Sequence, residues 1–219
     1  MAGASRSSIP RVERGHPPVG SDPVTYEPVF ANSVGSATTG RTTRVLGIDP
    51  GLTRCGFAVI DGRGVASARA VSMGVIRTPA SEALPARLAM LRLEFASLIE
   101  EFHPDVVAVE QVFFQVNVRT AMATGQASGL ALAEASLAGC EVMQYTPNQV
   151  KDAVAGWGGA GKEQVQKMVQ VRLDLASLPK PADAADAAAL ALTHLAMSPI
   201  GRQLRERAAH HSTRARVPR

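Results

Sequence analysis

Residues 44–60 read RVLGIDPGLTRCGFAVI, and this stretch joins two apolar runs through a Pro-Gly turn. Short apolar runs on either side of a turn favour two strands in a hairpin. The first run ends at Asp49, directly before Pro50 and Gly51. A carboxylate at the end of a buried strand is unusual, because burying an unpaired charge is costly. Asp49 is therefore either a residue that caps the turn or one member of a functional site.

The composition of the chain suits a single globular domain. Of the 219 residues, 46% are hydrophobic but only 4% aromatic, so Ala, Val and Leu must build the core. No apolar run reaches the roughly 18 residues of a membrane span, and residues 1–15 lack the apolar segment of a secretory signal. Two cysteines, Cys55 and Cys140, are too few for a disulfide framework or a zinc site. We therefore expect a reduced, cytoplasmic protein with no membrane contact.

The positive charge of the chain lies near its ends. The whole chain carries +4, whereas residues 44–200 hold 13 basic and 15 acidic residues, a balance of −2. Residues 1–43 are rich in Pro, Gly, Ser and Thr and show no hydrophobic period, which is typical of disorder. Residues 201–219 contain six Arg and one acid, a weak indication of nucleic-acid binding. We expect a disordered extension over 1–43, one folded domain over 44–200 and a basic tail over 201–219.

The central segment alternates between strand-like and helix-like patterns. Strands with intervening helices favour an α/β layered fold. The predicted strands cover 44–49, 55–61, 66–78, 105–113 and 141–146, and the predicted helices cover 83–102, 120–139, 162–175 and 181–196.

Three further acids stand at positions that tolerate carboxylates poorly. Glu110 ends the apolar run DVVAV, and Asp183 and Asp186 lie in the Ala-rich segment PADAADAAALAL. Their i, i+3 spacing puts Asp183 and Asp186 on one helix face, near its N-terminus. Each acid alone has an ordinary explanation, as a strand-end acid paired with Arg or a first-turn helix acid. Together they would repel unless a cation neutralises them, and oxygen ligands without His or Cys suit Mg²⁺ or Mn²⁺.

Four segments together resemble the bacterial Holliday-junction resolvases of the RuvC family. They read LGIDPGLTRCG, VVAVEQVF, TPNQVKDAV and PADAADAAALALTH, in family order between residues 44 and 200. The resemblance implies a ribonuclease-H-like mixed sheet flanked by helices, in one nuclease domain that forms a homodimer. It implies a structure-specific endonuclease that resolves four-way DNA junctions by symmetric paired nicks, in homologous recombination and DNA repair.

The same resemblance implies the chemistry and the site. Asp49, Glu110, Asp183 and Asp186 match the catalytic, metal-binding acids of the family. They would hold two Mg²⁺ ions, with Mn²⁺ as a possible substitute, for two-metal phosphodiester hydrolysis. A branch-migration helicase complex is implied as a partner.

Several residues near these acids are candidate DNA contacts. Phe113 aligns with a family aromatic that stacks on a base near the crossover, although taken alone it would be a core or dimer-contact residue. Lys151 and Lys162 match family lysines placed near the scissile phosphate, and Lys162 follows a Gly-rich turn, 156–161, where backbone can approach a ligand closely. Further DNA-contact candidates are Asn117 and Arg119.

Two other functions stay open at this point. One is a ribonuclease-H-like nuclease that acts on another nucleic acid, and the other is a non-catalytic junction-binding module. Four intact acids argue against the second, because a pure DNA binder gains nothing from their mutual repulsion. An actin-like ATPase would need a second domain, for which residues 44–200 leave little room.

Two features have more than one interpretation. The small residues from Ala121 to Gly129 form either a dimer interface, by family analogy, or a contact with the sheet of the same chain. Trp157 departs from the small residues around it in the Gly-rich turn, and surface packing is its simplest role.

Overall fold

The computed structural model describes residues 42–112 and 118–198. The predicted disordered extension lies outside the described residues except for positions 42–43, and the predicted basic tail lies outside them entirely. The predicted DNA contacts Phe113 and Asn117 are not described either. All of these stay predictions. Within the described ranges, five strands and five α-helices follow one another, with a short 3-10 helix at Val65–Ser67.

The strands form one mixed sheet in the order β3-β2-β1-β4-β5. The hairpin predicted around Asp49 is present, and its two strands pair antiparallel. The third strand continues this antiparallel half, whereas the first, fourth and fifth strands run parallel. The strands are β1 (Thr43–Asp49), β2 (Arg54–Gly62), β3 (Arg69–Arg77), β4 (Val106–Glu110) and β5 (Glu141–Tyr145).

Helices cover both faces of this sheet, as the sequence predicts. The first two pack on one face and the last three on the other, so each face has its own apolar core. The helices are α1 (Leu84–Phe102), α2 (Val118–Leu137), α3 (Pro147–Ala155), α4 (Lys162–Arg172) and α5 (Ala182–Met197).

Helix α3 was not predicted as a helix, although its sequence carries a start signal. Thr146 and Gln149 form a capping box: the Gln149 amide donates to Thr146 Oγ1 at 3.2 Å, and the Thr146 amide donates to Gln149 Oε1 at 2.9 Å. Pro147 occupies the first turn, and Gly156 ends the helix with a φ of 89°. The S/T-x-x-Q pattern with Pro at the first position marks a helix N-terminus.

The alternation of side chains along β1 and β4 decides which face receives the acids. Leu46 and Ile48 pack in the core beneath α1 and α2, and Val45 packs in the core beneath α5. Because successive side chains of a strand point to opposite faces, Asp49 lies on the α5 face. On β4, Ala108 belongs to the α5 core, so Glu110 lies on that face too.

Two glycines let α5 lie directly on the strands. A Cβ atom at Gly47 would overlap the carbonyl oxygen of Ala187, and one at Gly56 would overlap the carbonyl oxygen of Asp183. The helix backbone therefore touches the strand backbone, which no larger residue permits. This contact brings the N-terminal turns of α5 beside the end of β1.

Candidate active site

Asp49 and Glu110 end two neighbouring parallel strands. Ile48 of β1 pairs with Val109 of β4, so the next residue on each strand stands at the same edge of the sheet. The two carboxyl groups share a hydrogen bond. The predicted proximity of Asp49 and Glu110 is therefore present in the structure.

Asp183 and Asp186 come to the same edge from α5. The Asp183 backbone lies against Gly56, whose β2 position pairs with Asp49. Both side chains are partly buried, with 28% and 26% of their surface exposed. The negative charges of both residues act on Asp49. The four acids that the sequence singles out are thus electrostatic neighbours.

Burial and the neighbouring carboxylates raise the pKa values of Asp49 and Glu110. Burial raises the pKa of Asp49, the charges of Glu110, Asp186 and Asp183 add to it, and the pKa reaches about 8. Burial and Asp186 also raise the pKa of Glu110, against the hydrogen bond from Asp49. Without a metal cation, the Asp49–Glu110 pair therefore holds a proton at neutral pH.

Two cations of the chain itself neutralise the α5 acids. Lys162 Nζ lies 2.6 Å from Asp186 Oδ2, and this hydrogen bond raises the pKa of Lys162. Arg54 Nε donates to Asp183 Oδ2 at 3.1 Å. Burial opposes ionisation of Asp183, but the Arg54 hydrogen bond and charge outweigh it, so the pKa of Asp183 lies below its ordinary value.

The acids open onto a cavity of about 380 Å³ between the sheet edge, α3, α4 and α5. Asp49, Glu110 and Asp186 line it, and so do Lys151 of α3 and Lys162 of α4. The two lysines predicted to contact DNA therefore line one cavity with three of the acids. Carboxylates and ammonium groups around one open cavity suit a ligand that combines a metal cation with a phosphate.

The donor set fits divalent magnesium or manganese. It consists of carboxylate oxygens, the ligands these hard cations prefer, and a bound cation would offset the burial and negative charge that raise the pKa of Asp49. Within 42–112 and 118–198, no three acidic, imidazole or thiol side chains already stand at ligand spacing around one point. Lys162 and Arg54 hold two of the acids, so a bound cation would compete with these ion pairs.

Arg54 is a site residue that the sequence analysis missed. It opens β2 only five positions after Asp49, but the carboxylate it contacts is 129 residues away. No local spacing pattern links the two residues. The sequence shows only that a basic residue lies near the IDPG turn. Its role as the partner of Asp183 is visible only once the position of α5 is known.

The turn between Asp49 and Arg54 is itself fixed by hydrogen bonds. The buried Thr78 hydroxyl donates to the Leu52 carbonyl at 2.5 Å. Arg87 of α1 donates to the hydroxyls of Thr78, at 2.8 Å, and Thr53, at 2.6 Å. Gly51 lets the turn close, because a Cβ there would overlap the Arg54 carbonyl oxygen. The loop after Asp49 is therefore fixed by Arg87 of α1, a helix that packs on the sheet face opposite α5.

The remaining predicted residues are placed elsewhere or lack a described side chain. Arg119 lies in the first turn of α2, and its side chain is outside the described residues. His194 is buried beneath the sheet, where its Nδ1 lies 2.9 Å from the Tyr145 hydroxyl, and it takes no part in the site. Cys55 is a fully buried core residue. In the described part of the chain, no helix is both long and apolar enough to cross a lipid bilayer.

Comparison with known proteins associates this site with one family. Residues 45–194 match the family model described as crossover junction endodeoxyribonuclease RuvC. The protein of that name from Rhodococcus jostii is 50% identical over 157 residues, which cover 72% of this chain and 83% of the relative. A structure of T. thermophilus RuvC in complex with a Holliday junction substrate is 39% identical, with a TM-score of 0.66, over 69% of this chain and 92% of that one.

A more distant structure shows the fold alone. The yeast mitochondrial Holliday junction resolvase superposes with a TM-score of 0.58 at 15% identity, over 77% of this chain and 84% of that one.

Proposed function

The chain belongs to the RuvC family of crossover junction endodeoxyribonucleases, and on that premise we propose how its site cleaves DNA. The enzyme is a nuclease that resolves Holliday junctions. One observation carries the proposed site: Asp49, Glu110 and Asp186 line a single cavity together with Lys151 and Lys162, with Asp183 beside them on α5.

We infer that Asp49, Glu110, Asp183 and Asp186 hold two Mg²⁺ ions, which Mn²⁺ can replace. Bound divalent cations would activate water and stabilise the leaving oxygen of a phosphodiester. The protein contributes the geometry: two parallel strands fix Asp49 and Glu110, and α5 is fixed against Gly47 and Gly56.

The two lysines of the cavity are proposed to receive the scissile phosphate. Their ammonium groups neutralise an entering phosphodiester, which is the main source of affinity for nucleic acid. Lys162 has 65% of its side chain exposed while it pairs with Asp186, so it can turn toward a phosphate without unburying. Attack of water on phosphorus with breakage of the bond to the 3′ oxygen leaves a 5′-phosphate and a 3′-hydroxyl.

Phe113, Asn117 and Arg119 are proposed to contact the junction beside this cavity. Phe113 follows Glu110 by three residues, and Arg119 lies in the first turn of α2. Short connections to the strand that carries Glu110 would couple the opening of the junction to cleavage.

We propose that a homodimer forms through the outer face of α2. Ala127 is fully buried against the sheet, which confirms a contact within the chain for that residue. Gly125 and Gly129 have nothing within 4 Å of a Cβ position, and Met122 is 58% exposed. Their i, i+3 and i+7 spacing puts all three on one face, where a second helix can approach closely. Two-fold symmetry would then present two sites to symmetry-related strands.

A branch-migration helicase complex remains a proposed partner on the strength of the family. The substrate also places the enzyme with the chromosomal DNA, so we infer a cytoplasmic location in a bacterial cell.

Replacing Asp49 with Asn tests the catalytic proposal. We expect Asp49→Asn to abolish cleavage of a four-way junction in Mg²⁺, by a factor of about 10³ or more, while junction binding in chelator persists. The assay maps nicks on all four strands and includes linear duplex and an RNA–DNA hybrid, which detect another nucleic-acid specificity.

Asp61→Asn is the matched control. Asp61 lies at the other end of the same hairpin, where it pairs with Arg44 at 2.7 Å, so its loss should leave cleavage intact. Cleavage by Asp49→Asn at the wild-type rate would contradict the assignment of the site.

A further inference from the structure

Trp157 is an exposed aromatic side chain that the proposed chemistry leaves without a role. It is the one tryptophan in the sequence, and 55% of its surface is exposed. A tryptophan side chain carries more apolar area than almost any other, and leaving half of it in water is unfavourable unless a ligand covers it.

The Trp157 ring packs on the backbone of its own loop rather than in the hydrophobic core. A Cβ atom at Gly159 would overlap the six-membered part of the Trp157 ring, so the ring lies directly over the Gly159 backbone. The Ala160 amide donates to the Trp157 carbonyl at 3.2 Å and closes the turn. Glycine at position 159 is therefore what permits the ring to rest on the loop, and the contact orients the ring before any ligand binds.

The loop that carries the ring borders the active-site cavity. Ala160 and Gly161 line the cavity together with Lys162, and the turn from 157 to 160 keeps its ends within about 7 Å of each other. The backbone of Trp157 is therefore near a cavity that carries two lysines, Lys151 and Lys162.

The surroundings of the ring indicate a nucleic-acid base rather than a protein partner. Protein interfaces need a contiguous apolar patch, but four of the six residues in 156–161 are glycine. A single aromatic side chain on a loop that borders a lysine-lined cavity is instead a combination that binds unpaired strands, with phosphates on the cations and a base on the ring.

We propose that Trp157 stacks on an unpaired base of the junction strand whose phosphate enters the cavity. The inference rests on the proposed function of this cavity and adds to it a second aromatic contact, on the α3–α4 loop. Stacking there would hold the strand at the rim of the cavity that the two lysines line.

The single tryptophan makes the proposal measurable in the wild-type protein. Its emission is titrated with a four-way junction and with linear duplex of equal length, in chelator so that the DNA stays uncut. We expect saturable quenching and protection from acrylamide with the junction, and neither with the duplex. Because no metal is present, this readout is independent of cleavage and of the result for Asp49→Asn.

Variants separate stacking from a structural role. Trp157→Ala should weaken junction binding by about tenfold, since base stacking on an aromatic contributes on that order, and Trp157→Phe should restore most of it. Val171→Ala is the control, because it shortens a side chain that is 61% exposed at the far end of α4; it should bind like the wild type.

The outcomes are distinct. Junction binding without quenching, or equal affinities for Trp157→Ala and wild type, would overturn the stacking proposal and leave the catalytic one standing. Trp157 emission that changes with protein concentration in the absence of DNA would place the ring at a subunit contact. That result would also overturn the stacking proposal. Failure of the junction to bind at all would overturn both proposals.

Discussion

The fold places Asp49 where a negative charge on its carboxyl group is unfavourable without a nearby cation. Its strand is buried, its neighbour Glu110 ends the adjacent strand, and Asp183 and Asp186 approach from α5. These surroundings penalise ionisation, so the carboxyl group retains its proton far above the ordinary pKa of 3.8. A divalent cation relieves the same penalty, and the residue is therefore suited to a metal site.

The pH dependence of stability follows from this pKa. Folding raises the pKa of Asp49 from 3.8 to about 8, so in metal-free protein the folded state holds a proton that the unfolded state releases. Stability from this group is accordingly lost as the pH rises between about 4 and 8. Asn cannot ionise, so Asp49→Asn should match the wild-type melting temperature near pH 5 and exceed it by several degrees, about 2–6 °C, at pH 8.

The measurement is thermal unfolding in chelator across this pH range. Mg²⁺ should stabilise the wild type at pH 8 more than Asp49→Asn, because the ion binds the folded state. Melting curves of the two proteins that stay parallel from pH 5 to 8 would show that Asp49 is not held protonated.

At the scale of elements, the contact of α5 with the hairpin positions half of the site. Asp183 and Asp186 are on the helix, and the helix can reach Asp49 only because Gly47 and Gly56 have no side chain. Alanine is abundant in α5 for the same reason: Ala184, Ala187 and Ala188 are all buried. Stability and site geometry thus depend on one contact surface.

Gly56→Ala tests this dependence. The added methyl would meet the Asp183 carbonyl, and α5 must shift, which costs about 1–3 kcal/mol and lowers the melting temperature by roughly 2–10 °C. Because the shift moves Asp183, we also expect cleavage to fall by more than the loss of folded protein explains. Activity per folded molecule, from unfolding and cleavage measured on one preparation, checks this.

Ser97→Ala is the control for that experiment. Ser97 is exposed on α1, away from the site, so its loss should change the free energy of unfolding by no more than about 0.5 kcal/mol. A melting temperature for Gly56→Ala equal to that of the wild type would mean that α5 does not depend on this contact.

At the scale of the whole molecule, the parallel pairing of β1 with β4 and the exposed face of α2 have separate consequences. The pairing joins acids that are 61 positions apart in the sequence at one edge of the sheet. The α2 face, with open space over Gly125 and Gly129, is where we propose that two copies meet. The pairing brings together two acids of the proposed site, and the α2 face would relate two such sites by symmetry.

The dimer proposal is tested by filling that face. Leucine at both Gly125 and Gly129 should block close approach of a second helix and convert a dimer into a monomer in analytical ultracentrifugation, with unchanged circular dichroism. Junction cleavage by the monomer should lose its symmetry, so that nicks on opposed strands become uncoupled.

Ser97→Leu serves as the control for that experiment, since Ser97 is exposed on α1. A wild-type protein that sediments as a monomer at concentrations that support paired nicking would refute the proposed interface.

Most of the strands and helices, the α/β class and the four candidate acids can be predicted from the sequence alone. Each of these follows from local information: apolar runs of strand length, helical spacing, and carboxylates such as Asp49 and Glu110 in apolar surroundings. Helix α3 was within reach as well, because Thr146, Pro147 and Gln149 carry a complete start signal. It was overlooked because the segment is short and polar.

How these pieces meet becomes visible only in the three-dimensional structure. The pairing of Arg54 with Asp183 and of Lys162 with Asp186 joins residues that no sequence spacing connects. The shared proton of Asp49 and Glu110 depends on burial and on distance, and both arise when α5 closes over the sheet. Hydrophobic pattern and propensity act between near neighbours in the chain, whereas charge, desolvation and close packing act between neighbours in space.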